Sequence, residues 1–135
     1  MKVTKEDLLN LAADKMKIRD LKKEIDDITE AAAIAAYQYG ATPRSRDPYH
    51  DVMAEKVHKL NERKSEYMEA QFQFEEHHRE VLGRIRLLKL PYYPVIWKRY
   101  VDNLSWRKIA RSMNYSESAV RKIHAKALIL LQAGD

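Results

Sequence analysis

The chain has 135 residues, of which 33% are charged and 45% are apolar, and its formal net charge is +5. It contains no cysteine, which excludes disulfides and thiolate metal sites, and its 3 glycines and 4 prolines are typical of a largely helical protein. No stretch is apolar enough for a signal peptide or a membrane span, so we expect a cytoplasmic protein without a membrane partner.

The first predicted element is a long helix that begins after Thr4 and ends near Tyr39. Thr4 is a good N-cap, and the segment from Gly40 to Pro43 is a typical helix stop. Apolar residues recur with heptad spacing and form one stripe, which is typical of a helix that packs against another helix. The stripe consists of Ile18, Leu21, Ile25, Ile28, Ala32, Ala35 and Tyr39.

A second long helix is predicted from Pro48, with Asp47 as its N-cap, to Lys89, before Pro91. One row of heptad positions is apolar, whereas the alternate row is half polar, so the apolar seam is narrower than in the first helix. The apolar row is Met53, Leu60, Tyr67, Phe74, Val81 and Leu88, and the alternate row is Val57, Lys64, Gln71, His78 and Ile85.

The two long helices predict an antiparallel hairpin over residues 1–89. A two-helix hairpin buries apolar residues on one side only, so we expect two hairpins to associate in a homodimer. In the alternative, the first helix folds back onto the C-terminal part of a monomer.

Three shorter helices are predicted in residues 90–135: Pro91 to Val101, Trp106 to Met113, and 117–132. The last two fit a helix-turn-helix, which needs a small residue where the helices cross and a residue tolerant of positive φ in the turn. Ala110 and Asn114 meet these needs. We therefore predict an all-α fold in which a long, coiled-coil-like antiparallel hairpin precedes a small three-helix helix-turn-helix module.

The charge is unevenly distributed. Residues 1–78 carry 13 basic and 16 acidic side chains, whereas residues 79–126 carry 12 basic and 3 acidic ones. A basic block of this density is typical of a protein that binds a polyanion. Together with the helix-turn-helix pattern, it predicts a partner made of double-stranded DNA.

Helical periodicity then separates the predicted DNA contacts into two sets. With Val120 and Ile123 directed inward, the outward residues of the last helix would enter the major groove and read bases. These base-reading residues are Ser116, Glu117, Ser118, Arg121, Lys122 and Ala125. Basic residues beside them would hold DNA phosphates and set the register. These phosphate-holding residues are Arg107, Lys108, Arg111 and Lys126.

The segments from Arg99 to Ala110 and from Ser116 to Leu128 resemble region four of sigma-70-type factors. The whole chain resembles small phage-encoded sigma-like regulators, the ArpU/RinA type of late-gene transcription activator. The resemblance implies a promoter-binding helix-turn-helix in a bacterial host cell or its nucleoid, with RNA polymerase as a further partner. Because no segment resembles region two, we expect an accessory transcription regulator rather than a complete sigma factor. For the site, the resemblance to region four implies that Glu117, Ser118, Arg121 and Lys122 read bases.

The sequence predicts neither an enzyme nor a cofactor. It has no nucleophile–base pattern and no glycine-rich phosphate loop. Glu55-x-x-His58 and Glu75-x-x-His78 match half of a di-iron motif but lie on one helix about 30 Å apart. His77 and His78 are neighbours on a helix and are not expected to face one ligand, so no metal site is predicted.

Two alternatives to a transcription regulator remain at this point. A phage terminase small subunit also joins helix-turn-helix and coiled-coil parts, although it usually places the DNA-binding module first. The C-terminal module could instead bind RNA polymerase rather than DNA. Ring-like oligomers would favour the first alternative, and polymerase binding without affinity for duplex DNA would favour the second.

Overall fold

The computed structural model describes residues 2–39 and 48–134, which form helices and turns without a strand among them. The all-α prediction is confirmed for these residues. In the same ranges no helix has both the length and the apolar character that crossing a bilayer requires. The loop predicted between Gly40 and Asp47 lies outside the described residues. The elements are α1 (Lys5–Tyr39), α2 (Pro48–His77), α3 (Arg79–Arg86), α4 (Tyr92–Ile96), a π-helical segment (Trp97–Val101), α5 (Trp106–Met113) and α6 (Glu117–Ala133).

The chain divides into two compact units, Met1–Met16 with Phe74–Asp135, and Lys17–Gln73. We call them the terminal unit and the middle unit. Helices α1 and α2 contribute residues to both. The domain border that the sequence predicts between residues 89 and 90 stays a prediction.

In the middle unit, the predicted stripe of α1 is covered as far as Ala35, and the side chain of Tyr39 lies outside what the structure describes. Ile18, Ile25 and Ala35 are buried, and the stripe positions between them are half-buried. The Nε atom of Arg63 on α2 donates a hydrogen bond to Oε1 of Glu24 on α1 at 2.8 Å. Heptad spacing therefore identified the covered side of α1 correctly.

Of the alternate row predicted along the second helix, His78 and Ile85 are buried, but the three positions before them are not. Lys56, Arg63 and Ala70 are half-buried, whereas Lys64 and Gln71 are exposed and Val57 is 47% exposed. Arg63 is half-buried while its charge is paired with Glu24 on α1. Arginine can lie there because its aliphatic stem packs while its guanidinium group stays paired.

In the terminal unit, the beginning of α1 packs with the C-terminal helices. Thr4 and Asp7 exchange hydrogen bonds, since each side chain accepts from the other residue's backbone N–H, and this caps α1 as predicted. The N–H of Val3 donates to the carbonyl of Leu131 on α6 at 3.0 Å. Val3, Leu8 and Leu131 are fully buried. The first turns of α1 thus meet the C-terminal part of the chain, as the alternative for this helix predicts.

The second helix does not run unbroken to Lys89. It is interrupted at His78, whose φ of −108° and ψ of 17° depart from helical values, and α3 then ends at Arg86. The ring of His78 is buried at this point, and its Nε2 lies 2.7 Å from Oδ2 of Asp14 on α1. The sequence gives no sign of this contact, since its two residues are far apart along the chain.

Candidate nucleic-acid interface

Helices α5 and α6 begin and end where local sequence signals place them. Ser105 caps α5 by accepting a hydrogen bond from the N–H of Lys108, and Ser116 caps α6 by accepting one from Ala119. Between the helices, Asn114 has a φ of 58° and a ψ of 38°, in the left-handed region that asparagine tolerates. The N–H of Tyr115 donates back to the carbonyl of Ala110, which closes α5.

A small apolar core fixes the angle between these two helices. Ala110 on α5 and Val120 on α6 are buried as predicted, because a small residue lets the second helix approach closely. Ile109 and Val95 are fully buried beside them, so α4 completes this core. Four half-buried side chains surround it: Leu104, Trp106, Met113 and Ile123.

The face of α6 predicted to read bases is open to solvent. All six residues of the set are exposed: Ser116, Glu117, Ser118, Arg121, Lys122 and Ala125. The hydroxyl oxygen of Ser116 is already used as the cap of α6, so this hydroxyl can offer DNA its proton rather than its capping lone pair. Exposure permits base contacts by these residues, and the contacts themselves stay a prediction.

The four residues predicted to hold phosphates are also exposed: Arg107, Lys108, Arg111 and Lys126. Across residues 2–39 and 48–134, none of the four forms an ion pair with a carboxylate. The ammonium group of Lys126 lies 5.8 Å from the centre of the Tyr92 ring. These charges are available to an external anion because no acidic side chain of the described residues neutralises them.

Beside the α6 face lies a pocket of about 490 Å³ that carries three positive charges. We call it the basic pocket. Its charged lining comes from three elements: Lys5 on α1, Arg99 on the π-helical segment and Arg121 on α6. Its other lining residues are Leu9, Tyr100, Trp106 and His124. None of them is acidic, so the pocket favours an anionic group.

Trp106 holds both guanidinium groups of the basic pocket. The Cζ atoms of Arg99 and Arg121 lie 4.3 Å and 5.1 Å from the centre of its ring. Arg99 is further fixed by a 3.1 Å hydrogen bond from Nη1 to the carbonyl of Leu104. Arginine over an aromatic face keeps its charge and its hydrogen-bond donors, so both side chains are oriented without being neutralised.

His124 forms the inner wall of the basic pocket. Its Nε2 is hydrogen-bonded to the hydroxyl of Tyr100 at 2.6 Å, and its ring meets Trp106 edge-on at 4.7 Å between centres. Burial, reinforced by Lys5, Arg99 and Arg121, lowers the pKa of His124 to about 4. Burial also raises the pKa of Tyr100, against the opposite effect of Arg99. At neutral pH this pair is uncharged, and the positive charge resides on the three cations alone.

No protein-family model, curated protein or solved structure matches the chain. The resemblance to region four of sigma-70-type factors therefore stays an inference from the residues quoted above.

Sequence reasoning missed two cations of this site, Lys5 and Arg99. Arg99 lies within the basic block, but its direction depends on the π-helical segment, where the N–H of Asp102 donates to the carbonyl of Trp97 five residues earlier. Such π-helical segments are frequent at functional sites, and the local sequence does not predict this one. Lys5 joins the pocket only because the N-terminal segment reaches α6, which no spacing along the chain can reveal.

Proposed function

We propose that this protein is a sequence-specific DNA-binding transcription regulator of the sigma region-four-like kind that phages and prophages encode. It acts in the bacterial cytoplasm or nucleoid. Helices α5 and α6 serve as its helix-turn-helix, and α6 enters the major groove of double-stranded DNA. It acts by binding and recruitment rather than by catalysis.

The observation that carries the proposal is an exposed, unneutralised basic surface around the N-terminal half of α6. The helix begins with a capped turn whose backbone N–H groups favour an anion, and Lys122 and Arg121 follow on its exposed side. Arg107 on α5 and Lys126 on α6 are also exposed, and we assign them to phosphates beside the groove. A set of cations whose attraction is not used within the fold is what binding to a phosphate backbone requires.

The basic pocket adds a further contact with DNA to those of α6 and of its flanking cations. Lys5 and Arg99 would hold a DNA phosphate next to the groove, with Trp106 keeping the guanidinium group of Arg99 in place. Arg121 lies between the pocket and the exposed face of α6, so it can turn toward either a phosphate or a base edge. We assign it to base reading, because a guanidinium group pairs with two acceptors of guanine.

The proposal includes a homodimer formed through the middle unit, where two long helices would make the predicted hairpin. Several large apolar side chains of this unit are exposed, which a second copy would cover. They are Ile34, Tyr37, Val57, Met68 and Phe72. A dimer of this kind would read two half-sites spaced by about one helical turn of DNA, roughly 10 base pairs.

The test is selection of bound duplexes from a random pool at two salt concentrations, followed by affinity measurements on the selected and random sequences. We expect an enriched sequence with paired half-sites. Arg121→Ala should weaken the selected duplex by about 5- to 150-fold and random duplexes far less, since one base contact contributes about 1–3 kcal/mol. Arg107→Ala should weaken binding to selected and random duplexes alike. It should also reduce the slope of the logarithm of the binding constant against the logarithm of the salt concentration by about one.

Lys64→Ala is the matched control, because Lys64 is an exposed basic residue of the middle unit. It removes one positive charge, as Arg107→Ala and Arg121→Ala do, without touching the proposed interface. Equal losses on selected and random DNA for Arg121→Ala would contradict its base-reading role. No enrichment at either salt concentration, or equal effects of Lys64→Ala and Arg107→Ala, would refute the proposed function.

A further inference from the structure

A cluster of two histidines and one carboxylate lies in the terminal unit, outside the proposed DNA interface. The ligand atoms of Asp14, His77 and His78 all lie within 4.8 Å of one another. Asp14 comes from α1, His77 ends α2, and His78 occupies the interruption between α2 and α3. We propose that this cluster binds a divalent transition-metal ion of the zinc type.

The two neighbouring histidines meet where the backbone of His78 departs from helical values. In a continuous helix adjacent side chains point away from each other, and the sequence therefore predicts no common ligand. At His78 the backbone leaves helical geometry, and the two rings meet edge-on with centres 4.7 Å apart. The ligand atoms of the two neighbours are therefore close enough for one ion, and the proposal departs from the expectation that they do not share a ligand.

The distances suit a metal ion after a small adjustment. Zinc binds histidine nitrogens and carboxylate oxygens at about 2.0–2.2 Å, which places tetrahedral ligand atoms about 3.3 Å apart. Without a metal, Nε2 of His78 lies 2.7 Å from Oδ2 of Asp14, within hydrogen-bond distance. Opening this contact slightly and turning the exposed ring of His77 inward would complete three of four ligand positions, and a water molecule would supply the fourth.

The surroundings favour a cation. His77 and His78 line a cavity of about 380 Å³ together with the acidic residues Asp7 and Glu80, whereas Asp14 lies outside its lining. Arg79 also lines the cavity, but its charge is paired with Glu76. Two imidazoles and one carboxylate are the ligands that zinc and its neighbours in the first transition row prefer, whereas calcium and magnesium prefer oxygen alone.

One of the three ligands is already held in place. His78 is only 4% exposed, and its ring packs against Phe74 with centres 5.0 Å apart. A fixed ring loses little freedom on binding, which favours the bound state. A metal ion here would join α1 to the junction of α2 and α3, so it would stabilise the fold of the terminal unit rather than catalyse a reaction.

The test uses the full chain, treated with a chelator and then titrated with Zn²⁺ in a calorimeter. We expect one ion per chain and a higher midpoint of thermal unfolding in the presence of zinc. His77→Ala, which changes an exposed side chain, should weaken zinc binding by at least about tenfold and abolish the thermal shift. Asp14→Asn should weaken binding similarly while keeping an acceptor for His78.

His58→Ala is the matched control, because it removes a histidine of α2 that is exposed and close to Glu62 rather than to the cluster. It should leave zinc affinity and the thermal shift unchanged. Absence of zinc binding to the intact chain would overturn the proposal. So would zinc binding that survives His77→Ala unchanged, or binding that is lost equally in His58→Ala.

Discussion

His124 makes the stability of the terminal unit depend on pH in a way that can be isolated by one substitution. The histidine is buried between Tyr100 and Trp106, and Lys5, Arg99 and Arg121 line the same pocket. His124→Gln keeps a hydrogen-bonding group for the hydroxyl of Tyr100 but removes the group that can gain a proton. The variant should therefore lack the part of acid destabilisation that arises at this position.

The size of this effect follows from the difference between two pKa values. An unfolded chain protonates His124 near its ordinary pKa of 6.5, whereas in the fold burial and the three cations lower that pKa to about 4. Between these values the unfolded chain holds more protons, so the stabilisation is complete above 6.5 and decreases as the pH falls toward 4. The linkage relation gives a loss of about 2 kcal/mol between pH values of about 7.5 and 5.

The measurement is urea unfolding of the wild type and of His124→Gln at a series of pH values, followed by tryptophan fluorescence. The free energy of unfolding of the wild type should fall by about 2 kcal/mol more than that of the variant over this range. His58→Gln serves as the control, because His58 is exposed and should give the wild-type profile. A difference between wild type and His124→Gln that is constant with pH would refute the reasoning.

Two further predictions concern the turn between α5 and α6. Asn114→Ala should lower the free energy of unfolding by about 1 kcal/mol, because alanine tolerates the left-handed conformation poorly. Asn114→Gly should leave this free energy unchanged or raise it. Urea unfolding of the two variants measures the difference. Ser116→Ala should lower the free energy of unfolding by about 1 kcal/mol, because it removes the cap of α6. Ser118→Ala should leave this free energy unchanged in the same assay. Equal effects of the two substitutions would contradict the capping role of Ser116.

Capping and turn rules were sufficient to predict from the sequence where α5, the turn after it and α6 lie. Ser105, Asn114 and Ser116 act through hydrogen bonds that span three to five residues, so their effect on the backbone is visible in the sequence itself. The same holds for Thr4 at the start of α1 and for the buried stripe along that helix. Exposure of the predicted base-reading residues followed from periodicity once Val120 was placed inward.

Two features along the second helix that the sequence did not reveal involve contact between distant parts of the chain. Arg63 turned inward to meet Glu24, and His78 left the helix beside Asp14. Both partners lie on α1, and no pattern within α2 distinguishes Arg63 from Lys64 as the residue that will be paired. Heptad analysis assigns sides by hydrophobicity, so it does not find a charged residue such as Arg63 that is half-buried while paired.

The basic surface is likewise larger than the basic block of the sequence. The basic block of the sequence begins near residue 79, yet Lys5, far before it, lines the same pocket as Arg121. Val3 is held by the carbonyl of Leu131, and this contact places the first helical residue of α1 against the C-terminal helices. The charge presented beside α6 is therefore set by both ends of the chain, and the beginning of α1 is part of the proposed interface as well as of the fold that supports it.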